Sequence, residues 1–344
     1  MGYSLYGVMS KSPNWFPRKD MEGAIRVINS DLQQSRPLSI ITYGHSQGGY
    51  AALRYSADLN AVAIASSPQY TIDPAKSEGM AGPYYKFFDS SLHEEMEIRR
   101  EHVKKGSVFF YDPIFEEDSW HARKIIENSD ATPILAPFTG HATILHLIDT
   151  GAIDSIFNSD QITIDAFSIR KKIRNHRGKS VIYWINRVYA LSRNVDRFAG
   201  EIEHAARNAV KFASRSPEPR VELAKILYRT GRHEEAGSAI SLAFTFVEEA
   251  SREEVWYEII ELLGKIHGPK PALLASQLLV LYRPALIHAQ FLLAYYLIYT
   301  KRFEEGRAIL RQILSYGGHV SDRNQFLSLL LEAGMQAEWK ELSK

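Results

Sequence analysis

The first half of the chain alternates short apolar runs with segments whose apolar residues recur at helical spacing. Apolar runs of about four to eight residues between turns are typical of strands, and a period near 3.6 is typical of amphipathic helices. This alternation predicts a parallel sheet with helices on both faces. The predicted strands are "YSLYGVMS", "LSIITYG", "AVAIASSP", "KGSVFFYDP" and "ATPILAPF", and the predicted helices include "KDMEGAIRVINSDLQQ", "GGYAALRYSADL" and "HARKIIENS".

One stretch, from about residue 70 to 105, interrupts this alternation. It contains the aromatic run "YYKFF" and the charged run "HEEMEIRREHVKK". The charged run has helical character, so we predict a helical insertion that lies over the sheet.

The second half, from about Ser168 onward, has no convincing strand pattern and is predicted to be helical throughout. The segment Leu223 to Phe244, "LAKILYRTGRHEEAGSAISLAF", recurs as "LLAYYLIYTKRFEEGRAILRQIL" at Leu292 to Leu314. Gly231 and Lys301 take the same turn in the two copies, and further turns fall at 264–268, at Gly334 and near Asn194.

These turns recur with a period of about 33 to 36 residues, the spacing of tetratricopeptide repeats. The chain resembles that family at its packing positions Leu227, Tyr228, Gly231, Ala236, Ala239 and Phe244. An irregular helical bundle is the alternative. Stacked helical pairs would offer a face suited to a peptide or protein partner.

Two domains follow from these patterns. We predict an α/β domain at 1–165, with the insertion at about 70–105, and an all-α repeat domain at 170–344. A chain of 344 residues is long enough for both.

Composition narrows the possible functions. The formal net charge is +1 without a long block of one sign, so no nucleic-acid partner is expected. The chain has no cysteine, which excludes disulfides, a thiolate nucleophile and a Cys-ligated zinc site. No run of about 18 apolar residues predicts a membrane span, and the first residues lack a signal-peptide pattern. We therefore expect a cytoplasmic protein.

The segment "SIITYGHSQGGYAAL" places a G-x-S-x-G pattern between a predicted strand and a predicted helix. Ser46 would lie on a sharp turn at the sheet edge, where Gly44 and Gly48 let the strand and the helix approach closely. The helix N-terminus favours developing negative charge, and the backbone N–H of Gln47 would be one oxyanion donor. The pattern predicts that Ser46 is a nucleophile.

At this turn the chain resembles the α/β-hydrolase family. The segments "SPNWFP", "GHSQGGYAAL", "SSPQYTID", "YDP" and "GH" resemble bacterial proteins that join such a domain to tetratricopeptide-like helices. The resemblance implies the chain order Ser, acid, His. Asp112 follows "SVFFY" and His141 follows "PILAPFTG", both at predicted strand ends. His141 would take the proton of Ser46, and Asp112 would orient the imidazole.

Other residues compete for two of these roles. Asp118 and Asp73 are alternatives for the acid. His45 is expected to point away from Ser46, whereas His121 and His146, on predicted helices, are expected to be structural or exposed.

The chain also departs from the family. Only one strand is predicted before the strand that leads to Ser46, where the family normally has several. The loop that usually supplies the second oxyanion donor is missing from residues 1–38, and the segment "SKSPNWF" is an alternative source. Losing one such donor typically slows catalysis about a hundred- to a thousandfold.

Two functions follow. The main prediction is a serine hydrolase of esterase type, or an acyltransferase, that acts through an acyl-enzyme on a small-molecule, carbohydrate or lipid acyl substrate. Neither a metal nor a cofactor is expected. The alternative is a weak or inactive hydrolase-fold scaffold whose helical repeats bind a protein partner.

Overall fold

The computed structural model describes residues 4–157, 164–315 and 323–342. The chain divides into two compact units, Met1–Ala190 and Leu191–Lys344. The sequence-based boundary, between 165 and 170, precedes this division.

A four-stranded parallel sheet forms the centre of the first unit. Its strands are β1 (Ile41–His45), β2 (Val62–Ser66), β3 (Val108–Tyr111) and β4 (Thr132–Leu135), and they lie side by side in chain order. The last three predicted strands contain β2, β3 and β4, and the predicted strand "LSIITYG" covers β1 except for its last residue, His45. Their side chains are mostly apolar because helices cover a parallel sheet on both faces.

Seven α-helices begin in the described part of the first unit, and several of them pack against this sheet. Successive side chains of a strand point to opposite faces. Phe109 therefore packs with Trp15 and Tyr50 on one face, while Val108 and Phe110 pack on the other face. The helices are α1 (Arg18–Ser35), α2 (Gln47–Arg54), α3 (Glu116–Asn128), α4 (Thr143–Asp149), α5 (Ala152–Phe157), α6 (Ala166–His176) and α7 (Val181–Leu191).

The first predicted strand, "YSLYGVMS", is wrong. Its Tyr3 lies outside the described residues, and residues 4–10 have no regular structure. Leu5 is 95% exposed and Met9 is 90% exposed. An apolar run becomes a strand only where a neighbouring strand pairs with it, and within the described residues β1 pairs with β2 alone.

The predicted helical insertion at 70–105 is also wrong. This stretch is described throughout and consists of turns with two short 3₁₀ helices, Gly82–Phe87 and Arg100–His102. Glu78 and Glu95 both have positive φ angles, which an α-helix does not accommodate. Met96 and Ile98 are buried in the core under the insertion, so tertiary packing overrides the helical pattern.

The second unit consists of helical pairs, which confirms the helical-repeat prediction. Its helices are α8 (Val195–Phe212), α9 (Glu218–Arg229), α10 (His233–Phe246), α11 (Glu253–His267), α12 (Pro269–Tyr282), α13 (Ile287–Tyr299), α14 (Phe303–Ser315), α15 (Arg323–Glu332) and α16 (Gln336–Leu342). From α9 onward, each pair turns through one residue with φ between 63° and 86°: Gly231, Gly268, Lys301 or Gly334.

Candidate functional site

Ser46 occupies a strained turn between β1 and α2. Its φ is 56° and its ψ is −123°, and its N–H donates to the Ser66 carbonyl at 2.9 Å. Such a conformation costs a non-glycine residue about 1–3 kcal/mol and is typical of functional turns. The turn presents the Ser46 hydroxyl at the carboxyl end of β1.

Close backbone contacts explain two glycines of this turn. A Cβ on Gly44 would lie 2.1 Å from the Gly48 carbonyl oxygen, so only glycine fits there. A Cβ on Gly48 would meet nothing within 4 Å, whereas one on Gly49 would lie 2.9 Å from the Ser66 carbonyl oxygen. The steric role predicted for Gly48 therefore belongs to Gly49, and the only signal was the doubled glycine of "GGY".

A continuous hydrogen-bonded chain runs from Ser46 into the core. The Ser46 hydroxyl lies 2.9 Å from Nε2 of His141, and Nδ1 of His141 lies 2.7 Å from Oδ1 of Asp118. Asp118 stands in the first turn of α3, and its side chain is 4% exposed. The structure thus brings Ser46 and His141 together, with Asp118 as the carboxylate behind the imidazole.

Asp112 does not occupy the predicted position beside His141. Its Oδ2 accepts the backbone N–H groups of Thr139 and Gly140, each at 2.7 Å, and its Oδ1 accepts that of Ile114 at 2.9 Å. Burial raises the pKa of Asp112, and these donors offset part of that rise. Asp112 therefore anchors the loop that presents His141. Asp112, at the strand end, satisfied the sequence pattern. The carboxylate that bonds the imidazole is that of Asp118, in the first turn of the next helix, α3.

The other acid considered, Asp73, is also engaged elsewhere. Its Oδ1 accepts the Ala75 N–H at 2.9 Å, and its Oδ2 lies 3.7 Å from Nζ of Lys76.

Two glutamine side chains connect the region around Ser46 with Asn14 and Trp15. The Gln69 side-chain nitrogen lies 3.4 Å from both Ser46 Oγ and His141 Nε2, and the Gln69 oxygen accepts the Trp15 indole N–H at 3.3 Å. The Gln47 side-chain oxygen accepts the backbone N–H groups of Asn14 and Trp15 at 3.2 and 3.4 Å. Two amides of the segment predicted to supply a second oxyanion donor, those of Asn14 and Trp15, are thus already bonded to Gln47.

Two of the remaining histidines, His45 and His121, have polar partners, whereas Nδ1 of the buried His146 has no hydrogen-bond partner among the described residues. Nδ1 of His45 lies 3.3 Å from the Ser66 hydroxyl, and burial, with His141 nearby, lowers the pKa of His45 to about 4. His121 accepts the Tyr70 N–H at 3.1 Å and lies 3.1 Å from the Met80 carbonyl oxygen. Burial lowers the pKa of His121 to about 4, so it is a neutral bridge to the loop after β2.

A serine–histidine–aspartate chain can move a proton from the hydroxyl to the imidazole. Stabilising an oxyanion at Ser46 further requires convergent donors. The Gln47 N–H, in the first position of α2, has no partner within its own helix. The geometry therefore supplies the proton path and one donor of the predicted site.

A second candidate site is the face formed by alternate helices of the second unit. Nζ of Lys225 on α9 lies 2.7 Å from Glu222 and 2.6 Å from Glu258 of α11. The ring of Tyr257 on α11 meets that of His288 on α13 with centroids 4.4 Å apart. These contacts place the first helices of successive pairs side by side, and we call this surface the repeat face.

The repeat face carries equivalent positions about 33 to 36 residues apart. On α9 and α11 these positions are charged, and on α13 and α15 they are mainly aromatic or neutral. The three rows are Glu222, Glu258, Leu292 and Gln325; Lys225, Glu261, Tyr295 and Ser328; and Arg229, Lys265, Tyr299 and Glu332.

Two structural facts bear on ligands. Among the described residues, no group of three or more His, Asp or Glu side chains could hold a metal ion. The described helices include none with the length and apolarity needed to cross a bilayer.

Comparison with known proteins found similarity to solved structures. No protein-family profile and no curated protein matches the chain. Similar solved structures include YrrB, described as a TPR protein with an unusual peptide-binding site, at 17% identity and a TM-score of 0.37, covering 50% of this chain and 83% of that chain. Another is pilF of Pseudomonas aeruginosa, at 15% identity and a TM-score of 0.40, covering 58% of this chain and 86% of that chain.

The main functional prediction is corrected. The serine hydrolase or acyltransferase predicted from Ser46, Asp112 and His141 does not stand. The scaffold alternative fits better. Two features of the site agree: Asp112 lies elsewhere, and the Asn14 and Trp15 amides are bonded to Gln47.

Proposed function

We propose that this protein is an interaction scaffold whose repeat face binds an extended segment of a protein partner. The first unit, which resembles a hydrolase domain at the Ser46 turn, serves as a structural platform in this proposal. The observation that carries it is the repeat face itself, where side chains of α9, α11, α13 and α15 recur in three rows. A cytoplasmic location remains part of the proposal.

The periodic arrangement suits an extended ligand. The first helix of each pair carries side chains at positions equivalent to those of the next pair. A bound segment therefore meets a new set of contacts at every repeat. The pair contact between Lys225 and Glu258 and the ring contact between Tyr257 and His288 hold adjacent helices in register. A fixed register favours binding because less conformational freedom is lost on association.

Tyrosines strengthen the case at the α13 end. Tyr295 is half-buried and Tyr299 is 48% exposed, and their rings stack with centroids 4.4 Å apart. Tyrosine gives a large, rigid contact area with a polar tip, and it is enriched in protein interfaces. This end of the repeat face therefore offers specific contacts to a partner.

A display selection of random peptides against the full chain tests the proposal. Selected peptides should bind in fluorescence anisotropy, and Glu261→Trp on α11 should weaken them about tenfold or more by occupying the repeat face. The matched control is Glu304→Trp on α14. Both glutamates are exposed and each pairs with a basic residue of its own helix, Lys265 at i+4 or Arg307 at i+3.

The outcomes separate the two functions considered. Ser46→Ala should leave peptide affinity unchanged, because the scaffold needs no nucleophile. Recovery of no binding peptide, equal weakening by both tryptophan variants, or binding that depends on the Ser46 hydroxyl would each refute the scaffold.

A further inference from the structure

A small cavity opens on the repeat face between α13 and α15. Its volume is about 120 Å³, several times the roughly 30 Å³ that one water occupies in the liquid. It can hold the end of one side chain. Its lining consists of Tyr295, Tyr299, Gln325, Ser328, Leu329 and Glu332.

The cavity wall is an aromatic pair with a carboxylate beside it. The two tyrosine rings are nearly parallel, with an interplanar angle of 24°. Ring faces carry negative charge density and attract cations. Burial raises the pKa of Tyr295, and its contact with Tyr299 and the charge of Glu332 add to the rise. The Glu332 carboxylate therefore lies near the Tyr295 phenol, which stays neutral at cellular pH.

These features select the charge of the occupant. A carboxylate or phosphate group would meet Glu332 and the ring faces with like charge, and is disfavoured. A purely apolar side chain would gain no hydrogen bond from the Ser328 hydroxyl or the Glu332 carboxylate, which are both exposed at the cavity. A guanidinium or ammonium group satisfies both, since it stacks on a ring and donates to the carboxylate.

We propose that this cavity binds the cationic end of an arginine or lysine side chain of the partner segment. The inference rests on the proposed function, because the cation belongs to a peptide held on the repeat face. It adds a position-specific charge requirement to that binding.

The first test uses the isolated side-chain group with the full chain. N-acetylarginine amide is titrated while the ring resonances of ¹³C-labelled tyrosine are followed by NMR, with N-acetylnorleucine amide as the neutral comparison. The Tyr295 and Tyr299 resonances should shift saturably with the arginine probe alone. Raising the salt concentration should weaken that binding, because Glu332 is exposed.

Single variants identify the groups that bind the probe. Glu332→Gln should weaken it about two- to fivefold, and Tyr299→Leu by a similar factor, as expected for exposed ion pairs and ring contacts. Glu249→Gln is the matched control, because Glu249 is also an exposed glutamate of this unit and lies off the cavity. Equal effects of Glu332→Gln and Glu249→Gln would refute the site.

A second test separates this inference from the proposed function. Selected peptides should carry arginine or lysine at one common position, and norleucine there should weaken binding about fivefold in wild type but little in Tyr299→Leu. If peptides bind without such a position, or the arginine probe gives no saturable shift, the cavity assignment is wrong and the scaffold stands. If the probe binds but no peptide is recovered, the scaffold is wrong and the cation site stands.

Discussion

Replacing Asp112 by asparagine should release the loop that presents His141. In the native protein, the two oxygens of Asp112 accept three backbone N–H groups, from Ile114, Thr139 and Gly140. Asparagine keeps only one acceptor oxygen. If the asparagine oxygen faces Thr139 and Gly140, the asparagine NH₂ group faces the N–H of Ile114. These two groups are both donors, so neither has an acceptor.

The size of the effect follows from these bonds. A hydrogen bond to a charged group contributes about 1.5–3 kcal/mol, and Asp112 is 2% exposed, so water does not replace the lost acceptor. The two bonds that remain also lose their charged acceptor. We expect the free energy of unfolding of the first unit to fall by about 2–2.7 kcal/mol, equivalent to a thirty- to hundredfold change in the opening equilibrium.

Hydrogen exchange measured by mass spectrometry checks this at the loop itself. The Thr139 and Gly140 amides should exchange about thirty- to a hundredfold faster in Asp112→Asn. Asp118→Asn is the control, because its carbonyl can still accept the His141 N–H, and it should leave those two amides protected. It should instead shift the Nδ1 resonance of His141. Loss of amide protection in Asp118→Asn but not in Asp112→Asn would refute the anchoring role of Asp112.

Three further predictions concern stability, and urea unfolding measures each. Gly44→Ala should destabilise the first unit by about 3 kcal/mol, because the added Cβ would meet the Gly48 carbonyl oxygen. Gly48→Ala should be neutral or raise stability by about 0.5 kcal/mol, and equal effects of the two variants would contradict the close approach of Gly44 to the Gly48 carbonyl. Burial lowers the pKa of His146 to about 4, so unfolding binds a proton between pH 6.5 and 4, and the free energy of unfolding falls by about 1.4 kcal/mol for each pH unit through that window. His146→Phe should remove this part of the acid sensitivity, and an unchanged pH profile in the variant would contradict the prediction. Lys225→Met should lower the free energy of unfolding by about 1–2 kcal/mol, because the carboxylate of Glu222, which is 7% exposed, loses its cation. Adding Glu222→Gln should restore part of that stability, and an equally unstable double variant would contradict the role of the pair.

Local patterns predicted most of the regular structure. The strands β2 to β4 fall within predicted runs, and β1 exceeds its run by one residue. The turns at Gly231, Gly268, Lys301 and Gly334 follow one another at 37, 33 and 33 residues, close to the predicted period. These features succeed because a strand, a helix or a tight turn is encoded by residues only a few positions apart. The insertion at 70–105 failed for the complementary reason: its conformation is set by the core beneath it rather than by its own spacing.

The candidate site shows the same division. The sequence by itself determined the strained turn at Ser46 and the neighbouring His141 loop, because glycines and strand ends have local signatures. Only the tertiary structure decided that Asp118 faces His141, that Gln47 binds the Asn14 and Trp15 amides, and that Tyr299 and Glu332 share one cavity. These contacts join residues from different helices, strands and loops. Whether such residues come into contact depends on how the connecting loops place those elements relative to one another.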